Sequence, residues 1–421
     1  MSAHSYDPRE HIRGIHQILI SDKKRIGFLF GAGTSFATGV STTRVPAIAD
    51  MTSQIVADVK AHSPKFATAV EAIQQEIESG NAVFTIESLL STIEAKRAVI
   101  GGGVLNGLDC VGFSDFADLV KSRVVALVSV HKTLLPEDRH KLAHSKLSGW
   151  ISKARRRFPA EIFTTNYDYL FEIALEGLGI PYFDGFSGSY EPFFCPEAVE
   201  DIDAYPHLAK LWKMHGSLGW TFRDNDKSVI RDKQATAESI LIYPSHIKYN
   251  TSKKQPYVGL IDRLCTFLQQ DDSVLITCGY SFGDNHINER IATSLRRGAN
   301  SYVIAMYYDQ YEDDGGNTVY GLTQKDNVVR KMATHDTGGK MSVYGLRHAI
   351  VGAKFGKWKL RDEPKIEESI RVNQFFDEDG CIPGENWEGI GRFLLPDFCK
   401  LTEFLNDLSS PEAANINGKI S

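Results

Sequence analysis

The sequence predicts an α/β protein: a Rossmann-like parallel sheet with a large helical insertion and a C-terminal extension. Three observations carry this prediction. Short, unbroken apolar runs recur along the chain, the first of them ends in Gly-Ala-Gly, and the long stretch 47–157 between the first two runs has apolar residues at helical spacing.

The runs are IGFLF (26–30), EIFTT (161–165), LWKMH (211–215), ILIY (240–243), VLITC (274–278) and YVIAMYY (302–308). Continuous apolar character without alternation suits strands covered on both faces, as in a parallel sheet. Between the first two lie MTSQIVADVKAH, FATAVEAIQQEIESG, FTIESLLSTIEA and LVKSRVVALVSVHKTLL, each reading as a helix with one apolar face. The GGG at 101–103 reads as a loop inside this insertion. From about 335 onward VYGLRHAIVGAKFGKW, the loop-like DEDGCIPGENWEGIG and the amphipathic LLPDFCKLTEFLNDL suggest an extension packed on the main domain. The expected divisions are 1–46 with 158–330 for the split sheet domain, 47–157 for the insertion and 331–421 for the extension. No internal repeat or low-complexity tract is visible.

Composition bounds the function. The 421 residues are 42% hydrophobic, enough for two or three packed units. With 47 basic and 53 acidic residues the net charge is -6, a field that repels nucleic acid and anionic membrane. The basic run KARRRF (153–158) reads as a solvated helix end, so direct nucleic-acid binding is not expected. Cysteines at 110, 195, 265, 278, 381 and 399 form no C-x-x-C pair and read as reduced thiols, with no metal site expected. No apolar run approaches the ~20 residues of a membrane helix, and the opening MSAHSYDPRE lacks signal-peptide order, so a soluble, cytoplasmic protein is expected.

Four strand ends carry polar, small residues where an open α/β sheet forms its ligand crevice. At the first, Gly31 and Gly33 would permit a tight turn and close approach of backbone to a diphosphate, or serve only as a strand-to-helix connector. The third glycine of G-x-G-x-x-G is replaced by Phe36, and the acid a dehydrogenase would place downstream could only be Asp50, in a helical segment; a standard dehydrogenase is disfavoured. At the second, Thr164, Thr165, Asn166 and Asp168 gather hydroxyl, amide and carboxylate groups, with a helix cap as the plainer role. At the third, His215 precedes Gly216, which leaves room beside the imidazole; a structural histidine is the alternative. At the fourth, CGYSFGDNHINERI brings Gly279 and Ser281, and Asp284 or Asn285 would cap the following helix.

Together these pieces resemble the sirtuin (silent information regulator) family of NAD-consuming enzymes over roughly 25–310. The family's Gly-Ala-Gly-x-Ser-x-x-x-Gly-Ile-Pro-x-Phe-Arg is similar to Gly31, Ala32, Gly33, Ser35, Gly39, Val40 and Arg44, with Ser41 and Thr43 replacing Pro and Phe. Its Thr-Gln-Asn-x-Asp looks like Thr164-Thr165-Asn166-Tyr167-Asp168, its His-Gly like His215-Gly216 and its Gly-x-Ser like Gly279-Tyr280-Ser281. The deacylases' two C-x-x-C pairs are absent, and the next cysteine after His215 is Cys265, so no structural zinc is implied. The insert DGFSGSYEPFFCPEAVEDIDAYPHLAK between Asn166 and His215 departs from the deacylases too. FTIESLLSTIE, with Glu87, and GYSFGDNHI look more like the sirtuin-like effectors of bacterial antiphage systems, which hydrolyse NAD.

The resemblance implies an NAD glycohydrolase releasing nicotinamide and ADP-ribose. Asn166 and Asp168 would orient water, ribose and carboxamide, and His215 would act as general base, a role worth roughly 100- to 10,000-fold in rate. The loop Gly31–Ser35 would hold the diphosphate, with Ala32, Arg44, Thr164, Thr165 and Gly279 around it, Ser281 facing the phosphate or adenosine ribose and Asp309 the adenosine hydroxyls. An NAD-dependent protein deacylase and a non-catalytic NAD or ADP-ribose sensor are the alternatives. Toxic chemistry calls for gating, so a homo-oligomer is expected, with a HerA-type hexameric ATPase or an Argonaute-like protein as partner.

Overall fold

The structure, a computed structural model, describes residues 4–154, 156–201, 205–223, 228–232, 255–298, 300–313, 315–363, 374–379 and 387–409. The expected strand 240–243 lies outside the described residues. A ten-stranded sheet organises the molecule. Its strands run in the order His4–Tyr6, Lys354–Trp358, His348–Val351, Met341–Tyr344, Tyr302–Met306, Ser273–Cys278, Arg25–Phe30, Glu161–Thr164, Ala209–Lys213, Tyr182–Phe183. Neighbours are parallel except for the hairpins that pair His348–Val351 with Met341–Tyr344 and with Lys354–Trp358. This is the Rossmann-like α/β class the apolar runs predict.

Alternate side chains of the inner strands feed two cores. Ile26, Phe28, Phe30, Ile162, Leu211 and Ile276 pack with helices Pro8–Ile20, Ala143–Lys153 and Phe398–Leu408. Leu29, Phe163, Trp212, Leu275 and Val303 pack on the other face with Tyr257–Gln269 and Asn285–Arg297. A buried knot ties the second layer down: Arg263 meets Glu161 through Nε at 2.9 Å and Nη2 at 2.5 Å, and Trp212 Nε1 donates to the same carboxylate at 2.8 Å. Bidentate pairing of this kind lets a charge stay buried without an orphaned oxygen.

The insertion is helical as its spacing predicts: Ile48–His62, Pro64–Ser79, Ile86–Val99 and Cys110–Val128. The Thr85–Ser88 capping box starts the third helix and the Asp109 side chain caps the fourth. These helices enclose a third core of Ile55, Val59, Ile73, Leu89, Phe113, Phe116 and Val120, which also takes in Leu170 and Leu218 of the sheet domain. The C-terminal segment does more than pack on the sheet. Met341–Tyr344, His348–Val351 and Lys354–Trp358 extend it, and Phe398–Leu408 packs on its face together with Phe375, Phe376 and Phe393.

Among the described residues, Cys110, Cys195, Cys265, Cys278 and Cys399 are free thiols, and no helix is long and apolar enough to cross a membrane.

Candidate active site

Register decides where the motifs meet. Phe30 is paired with both Cys278 and Thr164, and Thr164 with Lys213, so four adjacent parallel strands end level with one another. The segments that follow, Gly31–Ser35, Thr165–Asp168, Met214–Ser217 and Gly279–Asp284, therefore leave the sheet side by side at its carboxyl edge, where such sheets hold their ligands.

The first and last of these segments touch through glycine. Gly31 N donates to Cys278 O at 3.3 Å and Gly33 N to Gly279 O at 2.9 Å. A Cβ on Gly33 would lie 2.7 Å from Gly279 Cα, and one on Gly279, whose φ is +62°, would lie 2.6 Å from Thr34 N. The close approach that requires these glycines is between two loops of the chain itself. Thr34 N is also engaged, with Gly31 O at 2.9 Å, so the amides of Gly31, Gly33 and Thr34 all point at carbonyls. Ala32 opens the short helix Ala32–Phe36 and is exposed. Arg44 is exposed as well, its guanidinium 5.3 Å from the Phe36 ring centre.

Asn166 and Asp168 are buried beside this loop. Asn166 Nδ2 faces Gly31 O at 3.1 Å, Thr34 Oγ1 at 2.9 Å and Ser35 Oγ at 2.7 Å. Ser35 Oγ in turn donates to Asp168 Oδ2 at 2.5 Å. Asp168 Oδ1 accepts from Leu170 N at 3.0 Å, while the cap position of the helix Leu170–Gly177 is Tyr169, without a side-chain cap bond. Thr164 Oγ1 accepts from Asn166 N at 3.0 Å, and Thr165 N donates to Phe30 O at 3.1 Å. The relay Asn166 to Ser35 to Asp168 thus clips the glycine loop to the neighbouring strand's exit.

His215 stands one strand further on, 8% exposed, followed by Gly216 at φ +90°. Its Nε2 lies 3.1 Å from Asp284 Oδ2. Asp284 is the expected helix cap: Oδ1 accepts from His286 N at 3.0 Å and Ile287 N at 3.3 Å. The loop leading to it holds Phe282 at φ +58°, a left-handed conformation costly for a side chain of this size. Burial of that ring and the bond from Asn288 Nδ2 to Phe282 O at 2.7 Å keep it there. Ser281 is exposed at the tip, its Oγ accepting from Gly283 N at 3.3 Å.

Lys213 is a residue the sequence reading did not single out, although a cation inside the run LWKMH was a visible signal. It is buried, and its Nζ meets Glu172 Oε1 at 2.9 Å, Tyr167 O at 3.3 Å and Asp168 O. Tyr167 O also accepts from Leu218 N at 3.1 Å. The ammonium therefore cross-ties the turn bearing Asn166 to the turn bearing His215. Burial pushes the Glu172 carboxyl up, against the pull of Lys213.

Asp309 follows Tyr302–Met306, whose Met306 pairs with Cys278, so it leaves the same carboxyl edge of the sheet, but its carboxylate is taken up by two backbone amides. Its two oxygens take Leu322 N at 3.1 Å and Leu346 N at 3.0 Å, which pins two loops of the sheet domain. Burial pushes its carboxyl up against those amide bonds. The insertion borders the site: Leu170, Leu218 and Tyr167 join its core, and His131 packs edge-on against Tyr169 at 5.0 Å. Among the described residues no group of three or more His, Cys, Asp or Glu side chains could hold a metal ion.

No curated protein matches the chain. Residues 160–322 match the family model of the SIR2-like domain, a stretch that includes Asn166, His215 and Gly279 but not the Gly31 loop, and this supports a sirtuin-like family and NAD-related chemistry.

Proposed function

We propose that this site hydrolyses NAD to nicotinamide and ADP-ribose, and that the protein serves in the cytoplasm as an NAD-depleting effector of antiphage defence. The observation that carries the reading is the convergence, at the level ends of adjacent strands, of an imidazole with the Asn166–Ser35–Asp168 relay inside a region that matches the SIR2-like domain. Loss of nicotinamide develops positive charge on the ribose, which fixed dipoles and a carboxylate stabilise. Asn166 and Asp168 are suited to that task, and His215 to taking a proton from water or a ribose hydroxyl. Exposed Arg44 and Ser281 offer a cation and a hydroxyl to the diphosphate and adenosine side. With three loop amides already bonded within the chain, the diphosphate would lean on such side chains.

The test is chromatographic identification of products after incubating the purified chain with NAD, with and without an acyl-lysine peptide. ADP-ribose and nicotinamide should appear without the peptide, and His215→Ala should remove most turnover with little change in melting temperature. Nicotinamide release that strictly needs the acylated peptide would favour the deacylase instead. Gating would act through the insertion, whose core reaches the site loops, in a homo-oligomer or on binding a HerA-type ATPase or an Argonaute-like protein. Light scattering and NAD consumption with and without such a partner should show an oligomer whose rate changes more than tenfold; a fully active monomer indifferent to partners would end the gating model.

A further inference from the structure

We propose that Asp284 is a positioning residue that holds the His215 ring with its proton on Nε2, so that the basic lone pair sits on Nδ1; the catalytic use of that lone pair rests on the hydrolase reading above. The geometry supplies the reasons. Asp284 Oδ2 is 3.1 Å from His215 Nε2, and both side chains are about nine-tenths buried. The carboxylate cannot swing away, because Oδ1 is held by the amides of His286 and Ile287 at the start of a thirteen-residue helix. Those amides favour the ionised form, which accepts hydrogen bonds and donates none. The imidazole nitrogen opposite it must then be the N–H. When the ring takes up a second proton, the same carboxylate lies against the positive charge.

The substitution Asp284→Asn separates this role from capping. Asparagine caps helices as well as aspartate does, so its oxygen stays with the two amides. That leaves the NH2 facing His215 Nε2, which must accept, and the ring proton moves to Nδ1. The variant should melt within about two degrees of wild type, with kcat for NAD cleavage reduced at least about 100-fold, the scale of a lost general base, and KM changed less than threefold. Nitrogen-15 NMR of the imidazoles, with His215 assigned by its loss in His215→Ala, should show Nε2–H in wild type and Nδ1–H in Asp284→Asn. An unchanged tautomer overturns the assignment, and so does a switched tautomer with wild-type kcat. A wild-type chain that does not cleave NAD would sink the hydrolase reading, and the NMR comparison would still decide the pairing of Asp284 with His215.

Discussion

His144 makes stability depend on acid in a way that can be worked out. It is fully buried in the helix Ala143–Lys153, between Phe171 at 4.6 Å and Phe398 at 5.0 Å, and neither ring nitrogen has a hydrogen-bond partner among the described residues. Burial pushes its pKa down from 6.5 to about 4, against a weaker upward pull from Asp168. As pH falls the unfolded chain takes up this proton first. Stability is therefore complete above about pH 6.5, is lost between there and about pH 4, and levels off below. At 1.36 kcal/mol per pH unit the loss reaches about 3 kcal/mol. His144→Phe keeps a ring in the slot and removes both nitrogens. Chemical unfolding midpoints of both proteins from pH 7.5 to 4.5 isolate this residue, because His348, also depressed to about 4, is common to the two. Over that range wild type should lose about 2.5 kcal/mol relative to His144→Phe. Two curves falling in parallel would refute the argument.

Other expectations follow from the same contacts. Gly279→Ala forces a side chain into a left-handed backbone and against Thr34 N, which should cost roughly 2–4 kcal/mol and most of the NAD turnover, read by melting and by product assay. Gly149→Ala, in a helix with nothing within 4 Å of the new Cβ, should instead gain about 0.5–1 kcal/mol. Lys213→Met strands buried Glu172 without its cation and should lose about 3–5 kcal/mol. Adding Glu172→Gln should recover much of that in a double-mutant cycle, and additive losses would show that the pair is not coupled.

The inner strands were legible because a strand covered on both faces carries apolar side chains at most positions, as in IGFLF and VLITC. The outer ones were not. His4–Tyr6 is polar and Lys354–Trp358 mixes Lys with Phe and Trp, since the edge of the sheet is covered unevenly. The four motif-bearing ends were visible as glycine, amide and imidazole after apolar runs. Their mutual contacts were not visible, because those depend on register between segments far apart in the chain. Nothing local to Asp284 says that its second oxygen reaches His215, and nothing local to Asp309 says that both its oxygens belong to Leu322 and Leu346. Gly31 and Gly33 could be recognised as necessary, while the reason, the backbone of Gly279, lay in another segment.

The parallel pairing of Arg25–Phe30 also imposes a schedule on synthesis. This strand leaves the ribosome long before its two neighbours, Glu161–Thr164 and Ser273–Cys278. The glycine loop at its end has no wall until Gly279 emerges, and His215 has no carboxylate until Asp284 does. Prematurely terminated products shorter than this lack the site altogether, and the outer edge waits longer still, for Lys354–Trp358 to meet His4–Tyr6. For a chain whose proposed chemistry would drain its host's NAD, the topology acts as a timer that withholds the site until the segment carrying Gly279 and Asp284 has been made.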